Sequence, residues 1–274
     1  MPDSKDLSIA PKVALIGFGE AGSTFARAGR WSGHAKGWDV MPERRELMAA
    51  CEVDAAPDAA AALADVEIVL SLVTADSALP AARYYAALLA PGALWCDMNS
   101  VAPDTKREAA AAIEAAGGRY ADVAVLAPVD PAGLNVPLLI AGNHAEEAQQ
   151  KLAALGFSRT RVVGEEIGRA SAIKMIRSVM VKGLEALSSE CAAAADAAGV
   201  FDEVMASLDA SEKAIPWAER VAYNRERMET HGLRRAAEME ESAKTLLGLG
   251  VEPVMTRGTV QLQRRAAGGD IERN

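Results

Sequence analysis

Four groups of residues in this 274-residue chain have the types and spacing to do chemistry. The first is Gly17-Phe18-Gly19-Glu20-Ala21-Gly22. It follows the apolar run Val13-Ala14-Leu15-Ile16 and leads into Ser23 to Trp31, where Phe25, Ala26 and Ala28 have helical spacing. Strand, glycine turn and helix in that order make a phosphate cradle: one glycine turns tightly, one lets the backbone approach a pyrophosphate, one lets helix and strand pack closely. Free N–H groups and the dipole at the helix start favour the negative charge. The second strand candidate, Ala35 to Asp39, ends in an acid twenty residues after Gly19, where a ribose-binding carboxylate belongs. Asp39 therefore points to NAD. Arg44 and Arg45 follow closely and would suit the extra phosphate of NADP, which leaves that cofactor open.

The second group lies at strand ends, where ligands collect in a sheet of this kind. Leu72, Val73 and Thr74 end one strand candidate, and Asn99 and Ser100 follow another, Leu94 to Asp97. Leu72, Val73, Thr74 and Asn99 are expected to line the cofactor and Ser100 the substrate. Asn99 and Ser100 would equally serve as helix caps ahead of Pro103. The third group centres on Lys174, whose helical neighbours Ala170, Ile173 and Val181 are small or apolar. A lysine that loses solvation there becomes a usable base near neutral pH; a surface lysine lying along its own helix is the plainer alternative. Further on, His231, Arg234 and Glu238 share a helix face at spacings three and four, with Arg227 one turn earlier. They read as a polar wall closing over a substrate, or as a solvated face of local ion pairs. Gly232, within that segment, could break the stripe.

The elements that position these groups alternate. Strand candidates fall at Glu67–Val73, Leu94–Asp97, Tyr120–Val125, Pro137–Ala141 and Thr160–Val163, with helices between them. The alternation predicts an α/β domain over residues 1–166, a Rossmann-type parallel sheet covered on both faces. From Ile167 onward strand-like alternation disappears. One long helix is expected from Ile167 to Ala198, then an all-helical domain, so 167–274 reads as a substrate and dimerisation domain. The tail from Ala266 is expected to fray.

Composition narrows the classes. Half the residues are apolar, only 4% are aromatic, and the net charge is −9. That excess of acid argues against a nucleic-acid partner. No apolar run is long enough to span a bilayer, and the polar start carries no targeting segment. Cys51, Cys96 and Cys191 have no metal or disulfide spacing, so they are expected to be reduced packing residues in a cytoplasmic protein. His34, His144 and His231 are scattered, and no metal site is expected. None of Tyr84, Tyr85, Tyr120 and Tyr223 has a lysine four residues on, which disfavours a short-chain dehydrogenase.

Taken together, Gly17, Gly19 and Gly22, the segment Asp97-Met98-Asn99-Ser100-Val101-Ala102-Pro103 and the segment Gly168 to Ser178 around Lys174 resemble the β-hydroxyacid dehydrogenases and their relative 6-phosphogluconate dehydrogenase. The resemblance runs in order through almost the whole chain. It implies an NAD(P)-dependent dehydrogenase acting on a hydroxy acid, with Lys174 as general acid/base. The family's Ser-Gly-Gly substrate loop falls near Leu126-Ala127-Pro128, without the hydroxyl or the glycines. The asparagine one turn after the lysine becomes Ser178, beside Arg177, and the lysine of a further Lys-Asp pair is missing near Ala237-Glu238. The substrate-binding set so implied is Ser100, Leu126, Ala127, Pro128, Arg177, Ser178, His231 and Glu238. These departures leave the substrate's skeleton open and suggest a more apolar pocket. The segment His231 to Met239 resembles an uncharacterised 6-phosphogluconate dehydrogenase-like subgroup. Imine reduction uses the same architecture but generally replaces the lysine, and a non-catalytic NAD(P)-binding sensor would fit the altered loop. A homodimer is expected, because one sheet domain cannot cover all the apolar residues of the long helix and its neighbours.

Overall fold

Short runs of two to seven residues, most of them apolar, become the strands of one sheet, and segments between them become its covering helices. The computed structural model describes residues 11–211 and 214–268, the side chains of residues 185, 217, 238, 241 and 244 excepted. Two compact units divide the chain between Arg177 and Ser178.

The first unit runs β1 (Val13–Ile16), α1 (Glu20–Gly29), β2 (Ala35–Trp38), α2 (Pro42–Ala50), β3 (Asp54–Ala55), α3 (Ala59–Leu63), β4 (Ile68–Ser71) and α4 (Ala78–Ala86). It continues through β5 (Leu94–Asp97), α5 (Pro103–Ala115), β6 (Arg119–Val125), β7 (Leu138–Ala141), α6 (Ala145–Ala154), β8 (Thr160–Gly164) and the first turns of α7 (Arg169–Ala198). The strand order is β3-β2-β1-β4-β5-β6-β7-β8. Chain progression reverses direction between β1 and β4, which opens a crevice at their carboxyl ends. The sheet is not wholly parallel as expected: β7 runs antiparallel to β6. A parallel return needs a crossover of a dozen or more residues, usually a helix. Between Val125 and Leu138 the only helical element is the 3₁₀ turn Gly133–Asn135, so the chain doubles back.

Both faces of the sheet are buried, and the period-two alternation of a strand sorts its side chains. Val13, Leu15, Ile68, Leu70, Leu94 and Cys96 enter one core with Phe25, Trp31 and Phe157. Ala14, Ile16, Val69 and Trp95 enter the other with Tyr85, Ile113 and Tyr120. Phe25 meets Phe157 edge-on at 5.1 Å, and the Trp31 indole donates to the Leu155 carbonyl at 2.9 Å, so α1 is fixed to the end of α6.

The second unit takes the rest of α7, then α8 (Phe201–Ser211), α9 (Trp217–Gly248) and α10 (Val254–Ala266). No strand occurs among its described residues. The 30 residues of α7 make a rod of about 45 Å at 1.5 Å per residue. The Glu190 carboxylate on α7 accepts from the amides of Met255 and Thr256 at 2.7 and 2.9 Å and from the Thr256 hydroxyl at 2.6 Å, which caps α10. Burial raises the Glu190 pKa, but these donors outweigh it and hold the carboxyl below its usual value. The expected tail partly coincides with residues 269–274, which lie outside those described. No helix among the described residues is long and apolar enough to cross a membrane.

Gly232 does not break the helix: α9 continues through it from Trp217 to Gly248. Its missing side chain serves close packing instead. A Cβ there would lie 2.2 Å from the Gln263 carbonyl oxygen and 3.0 Å from the Ala267 Cβ on the neighbouring helix end. In an open helix, Gly→Ala stabilises by about 0.5–1 kcal/mol. Here the backbone contact should reverse the sign, so Gly232→Ala should lower the thermal unfolding midpoint. A raised midpoint would show that α9 and α10 do not approach so closely.

Candidate functional site

The glycine turn after β1 has the three geometries its sequence requires. Gly17 has φ of +91°, and a Cβ on it would lie 2.6 Å from the Leu72 carbonyl oxygen at the end of β4. A Cβ on Gly22 would lie 2.7 Å from the Gly17 carbonyl oxygen, so helix and turn are in contact. At Gly19 the same test finds nothing within 4 Å. Gly19 is also the N-cap of α1 and offers no side-chain cap, so first-turn amides such as those of Glu20 and Ala21 have no helical acceptor. Phe18 has a different part. Its side chain is fully buried, and its amide donates to Asp39 Oδ2 at 2.6 Å.

Asp39 therefore does more than end β2. Its second oxygen accepts from the Met41 amide at 2.9 Å, so one carboxylate fixes both the glycine turn and the start of α2. Each oxygen keeps a further lone pair for a ribose hydroxyl. Nearby, the Arg45 guanidinium lies 4.8 Å over the Trp38 ring. Leu72 and Val73 stand against Gly17 on the other side. Thr74 is exposed and directs its hydroxyl to Asp76 at 2.5 Å, which holds the Asp76 carboxyl below its usual value.

At the ends of β4 and β5, Asn99 is buried, and its side-chain amide donates to Ser71 Oγ at 2.9 Å. Its own Oδ1 has no partner in the protein. An orphaned buried acceptor beside an open glycine cradle fits a dinucleotide, whose amide or hydroxyl donors would satisfy it. Gly17 to Gly22, Asp39, Leu72, Val73 and Asn99 could hold such a group.

Beneath this edge lies a charged network without any solvent exposure. Lys106 on α5 donates to the Asp97 carbonyl oxygen at 2.6 Å and to Asp97 Oδ1 at 2.9 Å. Its amine is 3.6 Å from Asp122 Oδ1, close enough for charge pairing but not for a hydrogen bond. All three side chains are 0% exposed. The Tyr120 hydroxyl donates to Asp97 Oδ2 at 2.7 Å. Burial, and then the Asp97 charge, push the Tyr120 pKa well up, so its proton stays in place. Sequence reasoning missed Lys106, Tyr120 and Asp122. A signal existed: Lys106, Ala109, Ala110 and Ile113 recur at helical spacing along the buried stripe of α5.

Two arms leave the network. Asp97 Oδ1 also accepts from the Asn99 amide at 3.0 Å, holding the Asn99–Ser100 turn. Asp122 Oδ2 accepts from the amides of Gly168 and Ser171, at 3.1 and 3.0 Å, and so caps α7. One turn later Lys174 reaches Ser100 Oγ at 2.5 Å. Lys174 is half-buried rather than buried: Ala170 below it is covered, but Ile173 is 37% exposed. Arg177 is exposed and donates to the Leu126 carbonyl at 3.2 Å. Leu126 is half-buried, while Ala127 and Pro128 are exposed. The structure thus brings Lys174, Ser100, Arg177 and Leu126 together. Ser178 is half-buried at the start of the second unit. His231 is exposed on α9, and the side chain of Glu238 lies outside those described.

Residues 12–164 match the NAD binding domain of 6-phosphogluconate dehydrogenase, and residues 195–266 match a domain of unknown function, DUF1932. A conserved hypothetical protein from Sinorhizobium meliloti 1021 is 35% identical, over 97% of this chain and 92% of that one, with a TM-score of 0.62. The conserved protein MTH1747, of unknown function and structurally similar to 3-hydroxyacid dehydrogenases, is 29% identical, with coverage of 93% and 96% and a TM-score of 0.61. An imine reductase from Myxococcus stipitatus, solved with NADP+, is similar in fold: 20% identity, 94% coverage of both chains, TM-score 0.77. Its V8 variant was solved with NAD+.

Removing one member of a buried ion pair leaves an uncompensated charge, at about 3–5 kcal/mol. Lys106→Met keeps the volume but strands both Asp97 and Asp122, so it should lose stability on that scale. Urea unfolding of the variant measures this; a loss below about 1 kcal/mol, the level of an exposed pair, would mean that solvent reaches the network.

Proposed function

The chain belongs to the family built on the NAD binding domain of 6-phosphogluconate dehydrogenase, and on that premise we propose that it is an NAD-dependent oxidoreductase of hydroxy acids or their matching carbonyls. The observation that carries this reading is the contact of Lys174 Nζ with Ser100 Oγ, next to Asn99, whose buried Oδ1 has no protein donor. The amine from α7 thus meets one residue of the strand-end turn, and the residue before it carries the orphaned acceptor. Bound NAD would accept or return the hydride. The chain's own residues do the rest. Lys174 takes the substrate hydroxyl proton in oxidation and gives it back in reduction. Ser100 accepts from the amine and keeps it directed at the edge of the turn. Asn99 orients the ligand donor beside it, and Asp39 meets the adenosine ribose.

Leu126, Ala127 and Pro128 form the neighbouring wall, with Arg177 reaching the Leu126 carbonyl. A wall with an apolar side chain and a proline in place of a hydroxyl and an amide donor suits a bulkier or aromatic substrate better than a small sugar phosphate. A homodimer completes the reading. Ile176 and Val179 on α7 are 72% and 77% exposed, and Leu184 and Leu187 are 44% and 42% exposed. Apolar side chains so placed along one helix are the surface a second copy would cover.

Two measurements test the assignment. Positioned proton transfer is typically worth ~10²–10⁴-fold in rate. Lys174→Met should lose that much kcat on a substrate found in a hydroxy acid panel while still binding NADH, because the phosphates rest on the Gly17–Gly22 turn. Lys182→Ala, two turns further along α7, should stay near wild type. Undiminished turnover by Lys174→Met would remove Lys174 from the chemistry. The second measurement is kcat/KM with each cofactor. Asp39 should repel a 2′-phosphate and favour NAD; a clear preference for NADP would instead assign that position to Arg44 or Arg45.

A further inference from the structure

Lys174 has two supports that lead back to the same buried cation. Its partner Ser100 follows Asn99, whose amide is fixed by Asp97 Oδ1 at 3.0 Å. Its own helix starts on Asp122 Oδ2, which accepts from Gly168 and Ser171. Lys106 lies between those two carboxylates, with nitrogen–oxygen distances of 2.9 and 3.6 Å. We propose that Asp122, through the two amides it anchors at the start of α7, is a positioning residue that sets Lys174 against Ser100. The proposal rests on the reading of Lys174 as the proton carrier.

The geometry gives Asp122 little other work. Its Oδ1 makes no hydrogen bond and receives only the charge of Lys106. The orientation of the carboxylate is therefore set by the two amides on Oδ2. Gly168, with φ of +98°, precedes the helix, and Ser171 belongs to its first turn. Neither amide has an acceptor within the helix's own ladder. A carboxylate at that point also faces the positive end of the helix dipole. Ser171 Oγ closes the turn by donating to the Gly168 carbonyl at 3.0 Å. Lys174 lies three residues beyond Ser171, so a shift of the first turn carries its amine with it. Lys106 holds Asp97 at the same time, so both partners of the Lys174–Ser100 contact are referred to one buried point.

The test compares Asp122→Ala and Asp122→Asn by lysine acetylation at limiting reagent, read by mass spectrometry. The measured quantity is the Lys174 to Lys182 labelling ratio, with Lys106 as an internal gauge of global opening. Asp122→Ala should raise the ratio several-fold while Lys106 stays unlabelled. Asp122→Asn should remain near wild type, since its amide oxygen still accepts from Gly168 and Ser171. An unchanged ratio in a folded Asp122→Ala protein would overturn the proposal, and so would equal rises in the two variants. Should the alanine variant label at Lys106 through loss of folding, amide exchange on the wild-type protein decides. Slow exchange at Gly168 and Ser171, matching β6, supports the anchor; exchange at the rate of an open loop refutes it. The labelling needs no turnover, so failure of the anchor is distinct from the case in which Lys174→Met keeps its kcat.

Discussion

A single ammonium group buried between two carboxylates sets the geometry of this sheet edge. Charges taken out of water are tolerated only when paired and hydrogen-bonded, and Lys106 meets both conditions through Asp97 and its carbonyl oxygen. The requirement works outward. Asp97 must sit at the end of β5 and Asp122 four residues into β6. The parallel register that pairs Asp97 with Asp122 places them on neighbouring strands at one level. α5 must then lie over that level with its apolar stripe turned inward. Tyr120 and Asn99 donate to Asp97, and Gly168 and Ser171 donate to Asp122 Oδ2, while Asp122 Oδ1 faces the Lys106 charge without a hydrogen bond. Displacing any of these elements would uncover or unpair a charge, which makes the arrangement rigid.

The dinucleotide cradle obeys a different constraint, one of space rather than charge. Gly17 and Gly22 are glycines because backbone atoms already occupy the places their Cβ atoms would take, whereas Gly19 is a glycine beside open space. The first two make the turn, and the third leaves room above a helix start that has no side-chain cap. Asp39 links this turn to β2 through the Phe18 amide. One acid thus joins the glycine turn to the start of α2. The cradle and the buried network meet at Ser71 and Asn99, where β4 and β5 end side by side.

The helical unit is held by local devices of its own. Glu190 satisfies the first amides of α10 across 65 residues of chain, and Gly232 lets α9 meet the end of α10. Together they tie α10 to α7 and to α9.

Read alone, the sequence determined what depends on near neighbours. The glycine turn, the strand ends at Leu72 and Asn99, Lys174 on a helix, and the change to an all-helical second half all follow from spacings within one or two elements. Tertiary structure decided whatever depends on partners far along the chain. Lys106 sits in Pro103-Asp104-Thr105-Lys106-Arg107-Glu108 and looks like a solvated helix lysine; only the sheet brings Asp97 and Asp122 to it. Gly232 resembled a helix breaker because its reason for being small is Gln263, on another helix. The reversal of β7 depended on a connection that forms no covering helix, between strands whose own patterns carry no direction. Asp39 was legible as an acid at the right distance from the glycines, but its grip on the Phe18 amide was not. Periodicity records which face of an element is buried, whereas the identity of the group waiting on that face belongs to the fold.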